Sequence, residues 1–231
     1  ADFTEALKRF GFPPCPGNVM VRNPQWSQPI DDFIRQLKTW VISPDENSPM
    51  NLGIFVDAVG IGLNQDLLTR AKSALFETLR GESAYLSHFA RAIDLFPGSG
   101  GILNAIIATV GRKESIDIKK AGVFPIVHGI RTLAIERGIV ETPTTRRIEA
   151  LATEGILSQN FARELAGALR FFMEMRLRSQ LRTSRLGTVE GESLVKPSDL
   201  TTLERDLLRD ALRVVKEFRE FVRGHFNLRM F

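Results

Sequence analysis

Two long stretches with an apolar residue at every third or fourth position constrain this fold more than any other feature of the sequence. In residues 158–183 and 199–223 these side chains fall along one face of an α-helix. Long amphipathic helices bury such a face against one another, so the two segments predict a helical bundle. The apolar positions are Phe161, Leu165, Ala168, Leu169, Phe172, Met173 and Leu177 in the first segment, and Leu203, Leu207, Leu208, Ala211, Val214, Val215, Phe218 and Val222 in the second.

Most of the remaining chain also shows helical spacing, with one exception. Residues 52–59 alternate apolar and other side chains, beginning with Leu52, Ile54 and Val56, and predict a single β-strand. One strand cannot complete a sheet, so we expect that strands are missing from this chain and that the fold is mainly α. The further predicted helices are residues 2–10, 30–41, 65–79, 83–95, about 101–110, 118–137 and 143–153.

The charge of the chain is unevenly distributed. Residues 1–110 hold nine Lys and Arg against eleven Asp and Glu, a net charge of −2, whereas residues 111–231 hold 22 against 16, a net charge of +6. Of the 31 basic residues, 23 are Arg, the side chain best suited to bidentate contacts with phosphate or carboxylate. The alternative is a solvated helical surface with many internal ion pairs. Because acids are interspersed and no reader motif is present, specific nucleic-acid binding is not expected.

Several classes of protein are excluded by residues that the chain lacks. The single cysteine, Cys15, excludes an intramolecular disulfide and a multi-cysteine zinc site, and it fits a reducing compartment, which predicts a cytoplasmic location. The longest uncharged stretch, residues 95–111, is too short and too interrupted by Pro97 and glycines to span a membrane. The first residues, Ala-Asp-Phe-Thr-Glu, lack the basic start and apolar run that predict a signal peptide. The missing initial Met suggests a piece of a longer protein.

Asp57 is the carboxylate that first suggests chemistry. It lies late in the predicted strand, flanked by apolar residues. A charge inside an apolar strand is costly unless it is paired or binds a metal ion. Asp57 is therefore either a metal ligand or a residue at the strand end that faces water.

Two basic clusters suggest anion binding. Lys119, Lys120, His128 and Arg131 surround the start of a predicted helix, where backbone N–H groups would suit a phosphate. The alternative there is a basic loop before a buried helix. The second cluster crowds the C-terminal end of helix 158–183, where positive charge favours the helix dipole without any ligand. It comprises Arg176, Arg178, Arg182 and Arg185, of which the last three share one helical face.

A third pattern combines Arg219 and His225. Some helical ribonucleases use an Arg and a His at this spacing as their catalytic pair, but the pattern is short and arises often by chance in an Arg-rich chain. The three histidines, His88, His128 and His225, are far apart in sequence, so a histidine metal site is not expected. No glycine-rich nucleotide motif and no His-Glu-x-x-His motif occurs.

Residues 117–139, from Asp-Ile-Lys-Lys-Ala-Gly to Glu-Arg-Gly-Ile, resemble the signature of the nucleotidyltransferase substrate-binding domain family. Three more segments agree with that family and follow its order. They are residues 11–26, with Cys-Pro-Gly and Asn-Pro-Gln-Trp, residues 171–181 and residues 203–216. Members occur in bacterial signalling proteins that also carry CBS and cyclic-nucleotide-binding domains, and they are related to the N-terminal region of protein-PII uridylyltransferase.

The resemblance implies a division into two parts. Residues 1–62 would be the C-terminal part of an α/β catalytic domain, and residues 63–231 a helical substrate-binding domain. The family's Gly-Ser and Asp-x-Asp motifs, which lie upstream of the Cys-Pro-Gly loop, are absent here, so we expect the chain to be a C-terminal fragment that is inactive by itself.

The resemblance also implies a reaction, the transfer of a nucleoside monophosphate from a nucleoside triphosphate to an acceptor such as a protein. Asp57 matches the third carboxylate that would hold Mg²⁺ in the full-length protein. The side chains expected to contact phosphates or the acceptor are Lys119, Lys120, His128, Arg131, Arg176 and Arg178. Helices 118–137 and 158–183 would line the cleft.

Two departures from the family favour a different function. Residues 58–64 lack the Arg and Tyr that usually follow the third carboxylate, and Ser179 replaces a His. The alternative is therefore a non-catalytic helical bundle that senses nucleotides or binds a protein partner. The ribonuclease-like bundle is the third hypothesis.

Overall fold

The fold is almost entirely helical in the part of the chain that the computed structural model describes, residues 2–62, 64–94, 115–185 and 193–228. This confirms the mainly α prediction. The helices are α1 (Asp2–Arg9), α2 (Ile30–Ile42), α3 (Ser48–Val56), α4 (Gln65–Leu79), α5 (Ser83–Ala90), α6 (Phe124–Glu136), α7 (Thr144–Thr153), α8 (Gln159–Arg185) and α9 (Thr202–His225). The predicted helix at 101–110 lies outside the described residues. The chain divides into two compact units, residues 1–81 and 82–231.

The first unit is organised around α2, which packs against α3 and α4. Its apolar face carries Leu37 and Trp40, and both side chains are buried. The rings of Phe33 and Phe55 lie 5.2 Å apart, edge to face, and join α2 to α3. Lys72 on α4 donates a hydrogen bond of 3.1 Å to the backbone carbonyl of Val56, one of the last carbonyls of α3.

The predicted strand at 52–59 is wrong, because residues 52–56 belong to helix α3 and residues 57–59 follow its end. The helix starts at a turn in which the Asp45 carboxylate accepts hydrogen bonds from the backbone N–H of Ser48 at 2.7 Å and from its hydroxyl at 2.6 Å. Pro49 occupies the first turn, where a missing N–H costs nothing. Leu52, Phe55 and Val56 are then buried at helical spacing. A short apolar run fits a buried helix as well as a strand.

The boundary between the units falls at Gly81, after α4 rather than before it. Helix α4 packs on α2 and therefore belongs to the first unit. Gly81 has a φ of +95°, a left-handed conformation that glycine adopts without strain and that ends many helices. The assignment of residues 1–62 to the end of a catalytic domain stays a prediction.

In the second unit the long helices α8 and α9 pack along each other, as their apolar faces predicted. Helix α6 packs on α9, and α7 joins α6 to α8. A π-helix, Lys119–Val123, precedes α6 and contacts α8. The helix contacts are close, since a Cβ on Gly122 would lie 2.7 Å from the Phe172 ring and one on Gly129 would lie 2.6 Å from Phe218.

A two-stranded antiparallel sheet holds the start of α9 in place. Strand β1 (Ile116–Asp117) pairs with β2 (Leu194–Val195), with Ile116 opposite Val195. The hydroxyl of Ser179 on α8 donates a hydrogen bond of 3.1 Å to the Leu194 carbonyl. Ser179, which stands where the family has a His, thus attaches β2 to α8.

Candidate functional site

A pocket of about 340 Å³ lies where the C-terminal half of α8 meets β2 and the start of α9. Its floor is apolar and includes Met175 and Val195, which are both buried. Its rim carries charges of both signs. The lining residues are Phe171, Glu174, Met175, Arg178, Ser179, Arg182, Val195, Lys196, Asp199, Leu200, Glu204 and Leu207.

Arg178 is the central cation of the rim and is held by two carboxylates. Its Nη2 lies 2.6 Å from Oε1 of Glu174, one turn earlier on α8, and its Nη1 lies 2.8 Å from Oε1 of Glu204 on α9. The hydrogen bond from Arg178 to Glu204 is the main reason that the pKa of Arg178 is raised. The guanidinium therefore sits in a fixed position before any ligand arrives.

Glu204 also caps the N-terminus of α9. Its Oε2 accepts hydrogen bonds from the backbone N–H of Thr201 at 2.8 Å and from the Thr201 hydroxyl at 2.9 Å, while its own N–H donates to that hydroxyl at 3.3 Å. This capping box satisfies donors at the helix end. The bonds from Thr201 lower the pKa of Glu204. The carboxylate that faces Arg178 is thus also anchored in the helix terminus.

A second ion pair lies on the same rim. Nη1 of Arg182 is 3.0 Å from Oδ2 of Asp199, which belongs to the short 3₁₀ helix Pro197–Asp199. Lys196 is exposed beside it. Arg178, Arg182 and Lys196 are thus balanced by three carboxylates. An apolar floor below a rim of exchangeable ion pairs is suited to a ligand with one flat apolar part and one charged part.

Of the six described residues that were expected to contact phosphates or the acceptor, Arg178 lines this pocket, and Arg182 from the same basic cluster lines it too. Arg176 is half-buried on α8, and no described residue accepts a hydrogen bond from its buried Nε. In the sequence, Arg182 is recognised as part of a basic helix face. Its spacing of four residues from Arg178 is the feature that predicts that the two side chains lie next to each other. Glu204 could have been found from the capping pattern Thr201-x-x-Glu204.

Lys119 and Lys120 are exposed at the start of the π-helix, but their backbone N–H groups already have an acceptor. Both donate to Oδ1 of Asp117, at 3.1 and 3.2 Å. The Nζ of Lys120 lies 3.5 Å from Oδ2 of the same residue. The chain therefore supplies its own anion at the position where the sequence predicted a phosphate, and a phosphate there would have to displace Asp117.

The structure places His128 in the core of the second unit, and its predicted contact with a ligand stays a prediction. His128 is 4% exposed, its Nε2 lies 2.8 Å from the carbonyl oxygen of Phe89, and its ring stacks on Phe124 with centroids 5.4 Å apart. Burial is the main reason that the pKa of His128 is lowered to about 4; the charge of Arg131 adds to this effect and the hydrogen bond with Phe89 opposes it, so the ring is neutral at pH 7. His128 is a core residue, and Arg131 is half-buried beside it.

Asp57 is also placed differently from its prediction. It is the C-cap residue of α3 rather than the end of a strand, and it is half-buried. Within the described ranges no group of three or more His, Cys, Asp or Glu side chains could hold a metal ion. These residues alone therefore do not fit Mg²⁺. Asp57 could serve as a metal ligand only together with oxygen donors from elsewhere.

Arg219 and His225, the pair suggested by the ribonuclease hypothesis, both lie on α9 in the second unit. The Nε2 of His225 lies 2.7 Å from Oε2 of Glu136, so the C-terminal end of α9 is tied to the end of α6. Arg219 is buried, with 1% of its surface exposed. The hypothesis stays a prediction, and replacing His225 in an RNA-cleavage assay would test it.

The comparison with protein families agrees with this architecture. Residues 83–226 match the family described as "Putative nucleotidyltransferase substrate binding domain". The chain belongs to this family. The matched region begins two residues after Gly81 and so coincides closely with the second unit. Residues 1–47 match a second family, "Putative nucleotidyltransferase DUF294", and lie within the first unit.

No curated protein and no solved structure gives a significant match to the chain. In the ranges that the structure describes, no helix is both long enough and apolar enough to cross a membrane.

Proposed function

We propose that the second unit binds a nucleotide for a nucleotidyl transfer and that the pocket at Arg178 is the binding site. The observation that carries this proposal is the position of the pocket in the unit that matches the substrate-binding family. A volume of about 340 Å³ is at the small end of ligand sites and suits a nucleoside rather than a macromolecule.

The apolar and basic residues that line the pocket suit the base and the phosphates of a nucleotide respectively. A base would lie on the apolar floor, against Phe171, Met175 and Leu207. The phosphates would lie on the rim, where Arg178 and Arg182 present planar guanidinium groups. The charge on these groups is available to a ligand only when the ligand displaces Glu174 or Asp199, since both arginines are already paired.

The wider role follows from the family resemblance. We infer that the chain acts within a nucleotidyltransferase of a bacterial signalling system that passes a nucleoside monophosphate to an acceptor such as a protein, as a protein-PII uridylyltransferase does. Arg178 and Arg182 would bind and orient the triphosphate. Separately, the family resemblance makes Asp57 in the first unit a proposed Mg²⁺ ligand of the full-length protein, where Mg²⁺ would neutralise the charge of a triphosphate.

The test is calorimetric titration of UTP and of ATP into the chain. We expect the Arg182→Met variant to bind at least tenfold more weakly, because a charge-assisted contact is worth about 1.5–3 kcal/mol. The matched control is Arg146→Met, since Arg146 is also an exposed helical arginine paired with a carboxylate, Glu149, but lies on α7 away from the pocket. Equal binding by the wild type and both variants would exclude this pocket.

A second titration, with and without Mg²⁺, separates transfer from sensing. Binding that requires Mg²⁺ and weakens in an Asp57→Ala variant would support a preserved part of a transfer site. Binding that is independent of Mg²⁺ and unchanged in that variant would favour the nucleotide-sensing alternative. That alternative is supported by Ser179, which attaches β2 to α8 where the family has a His.

A further inference from the structure

The guanidinium of Arg219 is buried without a hydrogen-bond acceptor among the described residues. Arg219 lies on α9, is 1% exposed, and none of the described residues accepts a hydrogen bond from its Nε, Nη1 or Nη2. An arginine carries five N–H donors that cannot be removed by deprotonation in a protein. Buried polar groups in folded proteins nearly always have partners, so an arginine left in this state needs a specific explanation.

A second buried arginine shows that this fold can satisfy such a group in part. Arg147 on α7 is also 1% exposed, yet its Nε donates a hydrogen bond of 2.5 Å to the backbone carbonyl of Glu141. That bond fastens α7 to the loop that precedes it. All three side-chain nitrogens of Arg219 lack an acceptor among the described residues, whereas the Nε of Arg147 has one, so the fold satisfies Arg219 less than Arg147.

Among the described residues, the charged groups that act on Arg219 are one carboxylate, Asp94, and one further guanidinium, Arg223. Arg223, one turn later on α9, forms a bidentate ion pair with Asp94, with distances of 3.0 Å from Nε to Oδ2 and 2.6 Å from Nη2 to Oδ1. Burial lowers the pKa of Arg219, the charge of Asp94 opposes this shift, and Arg223 adds to it. The group of three side chains therefore holds one more positive than negative charge.

We propose that Arg219 and Arg223, with Asp94, form an anion site that takes a phosphate-type oxyanion. The ion pair already shows that an oxyanion fits against Arg223. The side chain of Arg223 is 16% exposed and that of Asp94 is 32% exposed, so an anion can reach the ion pair from solvent. The anion shifts the Asp94 carboxylate and accepts hydrogen bonds from the N–H groups of Arg219. A planar guanidinium matches a phosphate in just this bidentate way.

The site is separate from the pocket at Arg178. Arg219 follows Leu207, the last pocket residue on α9, by 12 positions, which corresponds to about 18 Å along a helix. The inference therefore does not rest on the proposed function and would survive its failure.

The experiment compares thermal unfolding and calorimetric binding of the chain with sodium pyrophosphate and with inorganic phosphate, against sodium chloride of equal ionic strength. We expect both oxyanions to raise the melting temperature of the wild type. In Arg219→Met the rise should vanish, and the affinity should fall at least tenfold. Without ligand, this variant should be as stable as the wild type or more stable, because an uncompensated buried charge has been removed. Arg213→Met is the matched control, since Arg213 is an exposed arginine on the same helix, paired with Asp210 at 2.8 Å.

A second variant tests the site without touching the buried arginine. Asp94→Asn removes the competing carboxylate, so phosphate and pyrophosphate should bind several-fold more tightly than to the wild type. Unchanged or weaker binding by this variant would overturn the proposal, even if Arg219→Met failed to fold. The proposal would equally be overturned by a wild type that does not respond to either oxyanion, or by an Arg219→Met variant that keeps the full response.

Discussion

The contact between Gly122 and Phe172 gives the sharpest test of the packing in the second unit. A Cβ at position 122 would lie 2.7, 2.7 and 2.8 Å from three carbon atoms of the Phe172 ring. The ring is fully buried in α8 and cannot move into solvent. Overpacking of a core usually costs about 1–3 kcal/mol, and three contacts below 3 Å place this one in the upper part of that range. Alanine recovers about 1 kcal/mol because it loses less backbone entropy than glycine.

The Gly122→Ala variant should therefore lower the free energy of unfolding by about 1–2 kcal/mol. Urea unfolding followed by circular dichroism measures this change. The matched control is Gly167→Ala in α8, where a Cβ would meet nothing within 4 Å, and this variant should be more stable by about 0.5–1 kcal/mol. Adding Phe172→Leu to Gly122→Ala should cost less than the sum of the two single changes, because the smaller side chain relieves the contact.

A Gly122→Ala protein as stable as the wild type would refute this reasoning. So would two glycine variants whose stability changed equally and in the same direction, because backbone entropy, which both sites share, would then account for both changes without the Phe172 contact.

Three further predictions follow from single groups. The folded pKa of His128 is about 4, below its unfolded value. The free energy of unfolding should therefore fall as the pH drops from about 6.5 toward 4, by up to about 1.4 kcal/mol per pH unit. Urea unfolding of the His128→Leu variant should show a shallower pH dependence. Thr201→Ala removes the N-cap of α9 and should cost about 1 kcal/mol in the same assay; no loss would contradict the capping box. Asp117→Ala leaves the N–H groups of Lys119 and Lys120 without their acceptor and should lower the melting temperature, whereas Asp117→Asn should retain part of the stability.

The helices could be predicted from the sequence wherever an apolar face is long enough to show its period. Helix α9 repeats its apolar spacing over six turns, and no strand pattern fits it. Residues 52–59 were assigned wrongly because a run of eight residues fits both periods. The deciding interaction, the Asp45 carboxylate at the N–H of Ser48, lies before the run and involves no apolar residue. Turn chemistry therefore overrode the alternation.

The candidate site could be predicted only where its partners are close in sequence. Glu174 is four residues from Arg178, so that ion pair follows from helical spacing. Glu204 is 26 residues away on another helix, and its approach to Arg178 depends on how α8 and α9 pack. The burial of each arginine could not be predicted from the sequence either. Arg178 and Arg219 lie on similar amphipathic helices, yet Arg178 is exposed and paired whereas Arg219 is buried.

The carboxylates of the second unit determine which anions can compete for its basic groups. Glu174 and Glu204 hold Arg178, and Asp199 holds Arg182. A ligand gains only the difference between its own contact and the exposed pair it replaces, and such a pair is itself worth about 0–1 kcal/mol. A triphosphate can displace several carboxylates at once, so affinity should rise from nucleoside to monophosphate to triphosphate and should fall with salt. Equal affinity for adenosine and ATP would mean that the apolar floor, and not the arginines, carries the binding.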